Sequence, residues 1–152
     1  MAAFDEAATA VCADLAQAIA GDAEGATHRV VIHVEGLRSD AEAKQVARRV
    51  ADSPLVKTAL FGGDPNWGRI ISAAGCADVP FEEEQLSLWL GETLLYKDGA
   101  PAPFDAAAVS AHIKSNRDLE VRLVFKLGSG RCTFWTCDLS YDYVRINADY
   151  TT

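Results

Sequence analysis

The 152-residue chain has one methionine, five prolines and three histidines, and nowhere a Cys-x-x-Cys pair. Its cysteines, Cys12, Cys76, Cys132 and Cys137, are too scattered for a zinc site or a disulfide framework. A reducing compartment, the cytoplasm, is therefore expected, with the thiols serving as small core residues. No run of about 18 apolar residues occurs, so no membrane-spanning segment is expected. Asp5, Glu6 and Asp14 interrupt an Ala-rich start that has no basic stretch, which is unlike a secretory signal. Positive charge is also short. The 14 Lys and Arg against 22 Asp and Glu leave a net charge of −8, which argues against nucleic acid or an anionic membrane as partner. His28, His33 and His112 have no His-x-x-x-His spacing, so no metal is expected.

What remains is an ordinary globular mixture, 49% hydrophobic and 24% charged, enough for one domain over residues 1–152 with a single core. Phe4, Ala8, Val11, Leu15 and Ile19 fall at helical spacing, up to a stop at Gly21. Residues 29–34 then alternate, with Val30, Ile32 and Val34 on one face of a strand. Ser39 and Glu42 form a capping box for a helix burying Ala43, Val46, Ala47 and Val50, which Pro54 cannot continue. Asp64-Pro65 reads as the start of a helix that runs to Gly75. Leu86–Leu90 and Thr93–Tyr96 flank Gly91-Glu92 as a hairpin. Asp105 caps a short helix through Val109 and Ile113. Leu119, Val121, Leu123, Phe125 and Leu127 alternate as the clearest strand. Gly128-Ser129-Gly130 turns it into a partner strand over Arg131–Cys137, and a last helix covers Tyr141–Asp149. The expected class is α/β of the α+β kind: a mixed, largely antiparallel sheet with helices packed on it.

Four features are unusual for scaffold. Gly21-Asp22-Ala23-Glu24-Gly25-Ala26-Thr27 is either a helix stop followed by a solvated turn or a site. As a site, Gly25 lets a ligand approach the backbone while Glu24 receives an ammonium. The segment Ser53–Arg69, with Gly62-Gly63 ahead of Asp64-Pro65, is either a turn and helix start with Trp67 in the core or an anion-binding helix start, but it is not a P-loop, because no Gly-Lys-Ser/Thr follows. The histidines lack acidic partners nearby in sequence, and Glu82-Glu83-Glu84 reads as a solvated turn. The C-terminal segment keeps aromatics and hydrogen-bonding side chains to its last residue. It is either a docked helix with its tyrosines in the core or a segment that puts Asn147 and Thr152 on a ligand.

Taken together, Asp22–Thr27, Ser53–Ala59, Gly63–Ile70, Cys137-Asp138-Leu139 and Tyr143–Tyr150 with the closing Thr resemble the C-terminal part of the ornithine acetyltransferases. These are the bifunctional glutamate N-acetyltransferases of arginine biosynthesis. The resemblance covers nearly the whole chain, and its Pro-Asn-Trp-Gly-Arg run and Ile-Asn-Ala-Asp-Tyr ending are specific. It implies an enzyme cleaved into α and β chains that assemble as an α2β2 heterotetramer. The N-terminal Thr of β would carry acetyl from N-acetylornithine to glutamate, with acetyl-CoA as an alternative donor substrate and no cofactor or metal. It also implies that Glu24, Asn147 and Thr152 bind substrate. The nucleophilic Thr-Met-Leu-Ala segment and the oxyanion-hole residues are absent here, so no catalytic residue is expected in this chain, and its partner would be the N-terminal part of the same enzyme. The loop also departs from the common Asp-Gly-Glu-Gly-Ala-Thr-Lys at Ala23 and His28. Two other readings share these residues: a non-catalytic amino-acid-binding module, and a relative with another acyl acceptor.

Overall fold

The computed structural model describes residues 2–150. Helix α1 (Ala2–Gly21) leads into β1 (Arg29–Leu37), followed by α2 (Asp40–Ala51), α3 (Pro54–Gly62) and α4 (Trp67–Gly75). After a 3-10 turn at Glu83–Gln85 come β2 (Leu86–Leu90), β3 (Thr93–Lys97) and the two-residue β4 (Ala100–Pro101). The chain closes with α5 (Ala106–Ser115), β5 (Asp118–Phe125), β6 (Gly130–Cys137) and α6 (Tyr141–Asp149).

One six-stranded sheet, ordered β4-β3-β2-β5-β1-β6, holds all the strands. The expected mixed, largely antiparallel sheet is present: β1 and β5 run parallel, and the other neighbours antiparallel. Alternation decides the faces. Val30, Ile32 and Val34 from β1 and Leu119, Val121, Leu123 and Phe125 from β5 are buried, with Leu86, Leu88 and Leu90 from β2 beside them. Ala43, Val46, Ala47 and Val50 of α2, Ile70, Ala73 and Ala74 of α4, and Val109 and Ile113 of α5 complete the cluster. The core thus lies between one sheet face and these helices.

Several local expectations are corrected. Arg131–Cys137 does not pair with β5 across the Gly128-Ser129-Gly130 turn. It crosses to the far side of β1, whose register runs from Arg29 opposite Cys137 to Glu35 opposite Arg131. Ser39 accepts the Glu42 amide as expected, but Glu42 reaches the Arg38 amide rather than that of Ser39, so the box closes one residue early. The helix start at Asp64-Pro65 moves to Asn66, whose side chain caps the Arg69 amide at 3.2 Å. Gly63 and Asp64 are instead occupied in ending α3: Gly63 sits at φ 68° and the Asp64 amide bonds the Ala59 carbonyl. The Gly-Gly pair is therefore a helix stop. Trp67 packs against the core and stacks on Tyr96 at 5.4 Å, in line with the structural one of the two readings of its segment. Of the cysteines only Cys132 packs against the core; Cys12 and Cys76 are exposed, and Cys137 is a half-buried free thiol.

The largest departure is α1. Phe4, Val11, Leu15 and Ile19 face solvent. The helix rests against β6 and β1 through the half-buried stripe Ala13, Ala16, Gln17 and Ala20. Small side chains allow that close approach, and periodicity alone could not tell which of the two stripes the sheet would select. No helix among the described residues is long and apolar enough to cross a membrane. Leu123→Ala, in the central strand, should cost about 2–5 kcal/mol in urea unfolding. Leu15→Ala on the open face of α1 should stay within about 0.5 kcal/mol, and comparable losses for both would show that the Leu15 stripe is packed.

Candidate functional site

The antiparallel register of β1 and β6 brings Thr27 and His28, just before β1, beside Asp138, just after β6. The Asp138 amide bonds the His28 carbonyl at 3.3 Å, one step past the Arg29–Cys137 pair. Asp138 turns its carboxylate inward, where only 3% of the residue is exposed. Oδ1 accepts the Thr27 amide at 2.9 Å and the His28 amide at 3.1 Å. Oδ2 accepts the Thr27 hydroxyl and lies 2.8 Å from His28 Nδ1. His28 Nε2 lies 3.1 Å from the Ile113 carbonyl at the end of α5. His28 therefore has an acidic partner 110 residues away, which local spacing could not reveal. Burial pushes the Asp138 carboxyl up, but the bonds from Thr27 and His28 outweigh it and hold the group below its ordinary value.

These bonds fix the far end of the Ala23–Thr27 loop, and α6 fixes its middle. Ser140 donates its hydroxyl to the Gly25 carbonyl and caps α6 by accepting the Tyr143 amide at 3.3 Å. Gly25 has φ 71°, and a Cβ there would lie 2.6 Å from Tyr143 N. The close backbone approach expected at Gly25 is thus made by the chain's own α6, not by a ligand. Phe61 of α3 meets Tyr141 edge-on at 5.2 Å, and the Leu139 amide bonds the Lys57 carbonyl at 3.3 Å. Of the two readings of this segment, the one with core tyrosines fails: α6 buries none of its residues, and Tyr141, Tyr143 and Tyr150 are exposed.

Between the loop, α3 and the end of β6 opens a cavity of about 390 Å³. Ala23, Glu24, Asp52, Pro54, Lys57, Cys137, Asp138, Leu139 and Tyr143 line it. Glu24 is exposed at its mouth, and Asn147 Nδ2 reaches Glu24 Oε2 at 3.4 Å while donating to the Tyr143 carbonyl at 2.8 Å. Two of the three residues singled out from the sequence therefore meet across 123 positions. Thr152, the third, lies outside the described residues. Asp138 and Lys57 were not singled out, because each acquires its neighbours only through the fold. A second cavity of about 410 Å³ shares Asp52 and Pro54 and is lined by Arg49, Asn66 and Arg69. No group of three or more His, Cys, Asp or Glu among the described residues is arranged to hold a metal. His33 pairs with Thr133 across the β1–β6 ladder at 3.1 Å, and exposed His112 contacts Asn116.

Asp138→Asn keeps the shape but turns an amide N–H₂ or a weaker acceptor toward groups that need a carboxylate. It should cost about 2–4 kcal/mol at pH 7. A lowered folded-state pKa gives stability that is present above the unfolded value, near pH 3.9, and is lost as pH falls through the folded value. The deficit of the variant should therefore shrink in urea titrations below pH 3.9. An equal deficit at pH 7 and pH 3 would contradict the ionised arrangement.

Comparison with known proteins bears on the whole assembly. The model of the ArgJ family matches residues 1–152. The arginine biosynthesis bifunctional protein ArgJ 1 of a Nostoc species is 51% identical over 152 residues, 95% of this chain and 37% of the relative. The chloroplastic ArgJ of Citrullus lanatus is 50% identical, covering 91% of this chain and 31% of that protein. The chain thus spans little more than a third of the curated relatives it matches. The crystal structure of ArgJ from Bacillus halodurans aligns with 98% of this chain and 70% of that one, at TM-score 0.93 and 40% identity. Agreement over the full length, in sequence and in the path of the backbone, makes this chain a member of the ArgJ family.

Proposed function

We propose that the chain supplies the amino-acid-binding part of an N-acetyltransferase that moves an acetyl group from N-acetylornithine to glutamate. The observation that carries this reading is the meeting of Glu24, which lines the cavity, with Asn147 of the terminal helix at 3.4 Å. That bond is long and its carboxylate is exposed, so a ligand ammonium can take it over with a shorter, charge-assisted bond. The Asn147 amide is then left to orient a polar group of the substrate, and Thr152 is assigned to the same ligand.

In this scheme a Thr hydroxyl from the remainder of the enzyme attacks the acetamide carbonyl of N-acetylornithine. The C–N bond breaks, the ornithine amine leaves with a proton, and an acetyl ester remains on the Thr. The amine of glutamate then attacks the ester, and the Thr oxygen leaves and recovers its proton. Splitting one transfer into two replaces a difficult direct exchange by two easier steps. The chain's own residues bind and orient; none is assigned to the covalent chemistry. Its partner is the complementary N-terminal part of the enzyme in an α2β2 assembly, in the cytoplasm, with acetyl-CoA as an alternative donor and no cofactor.

The test uses this chain co-assembled with the N-terminal part of a family enzyme. Glu24→Gln should raise KM for N-acetylornithine by about 10- to 100-fold, the loss of a charge-assisted bond of about 1.5–3 kcal/mol. KM for acetyl-CoA, which brings no ornithine ammonium, should hardly move. Asn147→Ala should weaken the same substrate without lowering the melting temperature, and the isolated chain should show no turnover. Unchanged constants with both donors would return Glu24 to the status of a solvated turn residue, and turnover by the chain alone would contradict the division of labour.

A further inference from the structure

Within the Glu24 cavity the wall opposite in charge is Lys57, at the fourth position of α3. A cation is poorly placed there, because the amino end of a helix carries the positive end of its dipole and favours anions. The first turn of α3 carries no acidic residue to compensate. Lys57 is half-buried, and the only side-chain partner of its ammonium among the described residues is Cys137 Sγ, a weak acceptor, at 3.7 Å. No carboxylate among the described residues comes within 4.0 Å of it, although Glu24 and Asp52 line the same space. The backbone holds the residue in place: its carbonyl accepts the Leu139 amide, and its amide bonds the Ser53 carbonyl. Ammonium and helix end together make a positive pole on the α3 wall, facing a cavity whose mouth carries the Glu24 carboxylate.

We propose that Lys57 is the carboxylate-binding group of this cavity. The two walls then take a ligand of amino-acid type, its ammonium at Glu24 and its carboxylate at Lys57. The inference rests on the amino-acid-transfer reading of the same site and adds the group that selects for a free carboxylate. A ligand with an ammonium but a blocked carboxyl satisfies only one pole and leaves Lys57 with its thiol. Lys57 thus acts as the residue that selects for a free carboxylate, while Glu24 selects for the side-chain ammonium.

The experiment compares N-acetylornithine with its carboxamide in the co-assembled enzyme, for the unsubstituted chain, Lys57→Met and Lys57→Arg. The unsubstituted enzyme should prefer the free carboxylate by about 10- to 100-fold in kcat/KM. Lys57→Met should lose most of that preference through KM, with the carboxamide nearly unaffected and the melting temperature held, and Lys57→Arg should recover part of it. If Lys57→Met keeps the full preference while Glu24→Gln still raises KM, the Lys57 assignment is overturned and the site reading stands. If neither substitution changes either substrate, the reading of the cavity itself falls.

Discussion

Asp138 is where the strand register, the site loop and the final helix are tied together. Antiparallel pairing of β1 with β6 delivers the residue to the start of β1, and its carboxylate then accepts from two backbone amides, from the Thr27 hydroxyl and from His28. A buried carboxylate without such partners would cost several kcal/mol. With them it is a strong local constraint, because the Thr27 and His28 backbone cannot move without uncovering it. His28 passes the constraint on to the Ile113 carbonyl of α5. Ser140, two residues beyond Asp138, uses its hydroxyl on Gly25 and so sets α6 over the loop. Glu24 immediately precedes these fixed points, and Asn147 of α6 comes within 3.4 Å of it. Preorganisation of this kind lets a substrate meet a carboxylate whose backbone has already lost its freedom.

Much of this architecture is legible in the sequence, and the exceptions share a cause. The alternation of Val30, Ile32 and Val34, and of Leu119 to Phe125, gives β1 and β5 directly, since each pattern records burial of one face. The caps at Ser39 and Asp105 and the hairpin of β2 and β3 are likewise local. The partner of β6 is not local. Gly128-Ser129-Gly130 carries the chemistry of a tight turn, yet β6 pairs along the outer edge of β1, so that β1, with one face buried, is hydrogen-bonded on both sides, by β5 and by β6. The start of α4 moved from Asp64 to Asn66 because ending α3 had already used the Asp64 amide. For α1 the periodicity marked the stripe of Phe4, Ala8, Val11, Leu15 and Ile19, and the sheet took the neighbouring one of Ala13, Ala16, Gln17 and Ala20.

The site divides in the same way. Glu24 and Asn147 were marked by a family resemblance, and the fold brings them within reach of each other. Asp138 read only as part of a Cys-Asp-Leu run, His28 as a lone histidine and Lys57 as one residue of the Ser53–Ala59 motif. Each acquires its role from a partner about 80 to 110 positions away. Charge placement could have hinted at Lys57, since a lysine so near a helix start opposes the dipole. No comparable local signal marks Asp138.

Amide hydrogen exchange at Thr27 and His28, compared with Ile32 in β1 and with Ala23 in the open part of the loop, measures the Asp138 constraint directly. If Asp138 holds the loop as described, the Thr27 and His28 amides exchange about as slowly as Ile32, through global unfolding, while Ala23 exchanges far faster. Exchange of Thr27 and His28 at the rate of Ala23 would mean that the carboxylate does not hold the loop, and the account of how Glu24 is positioned would fail.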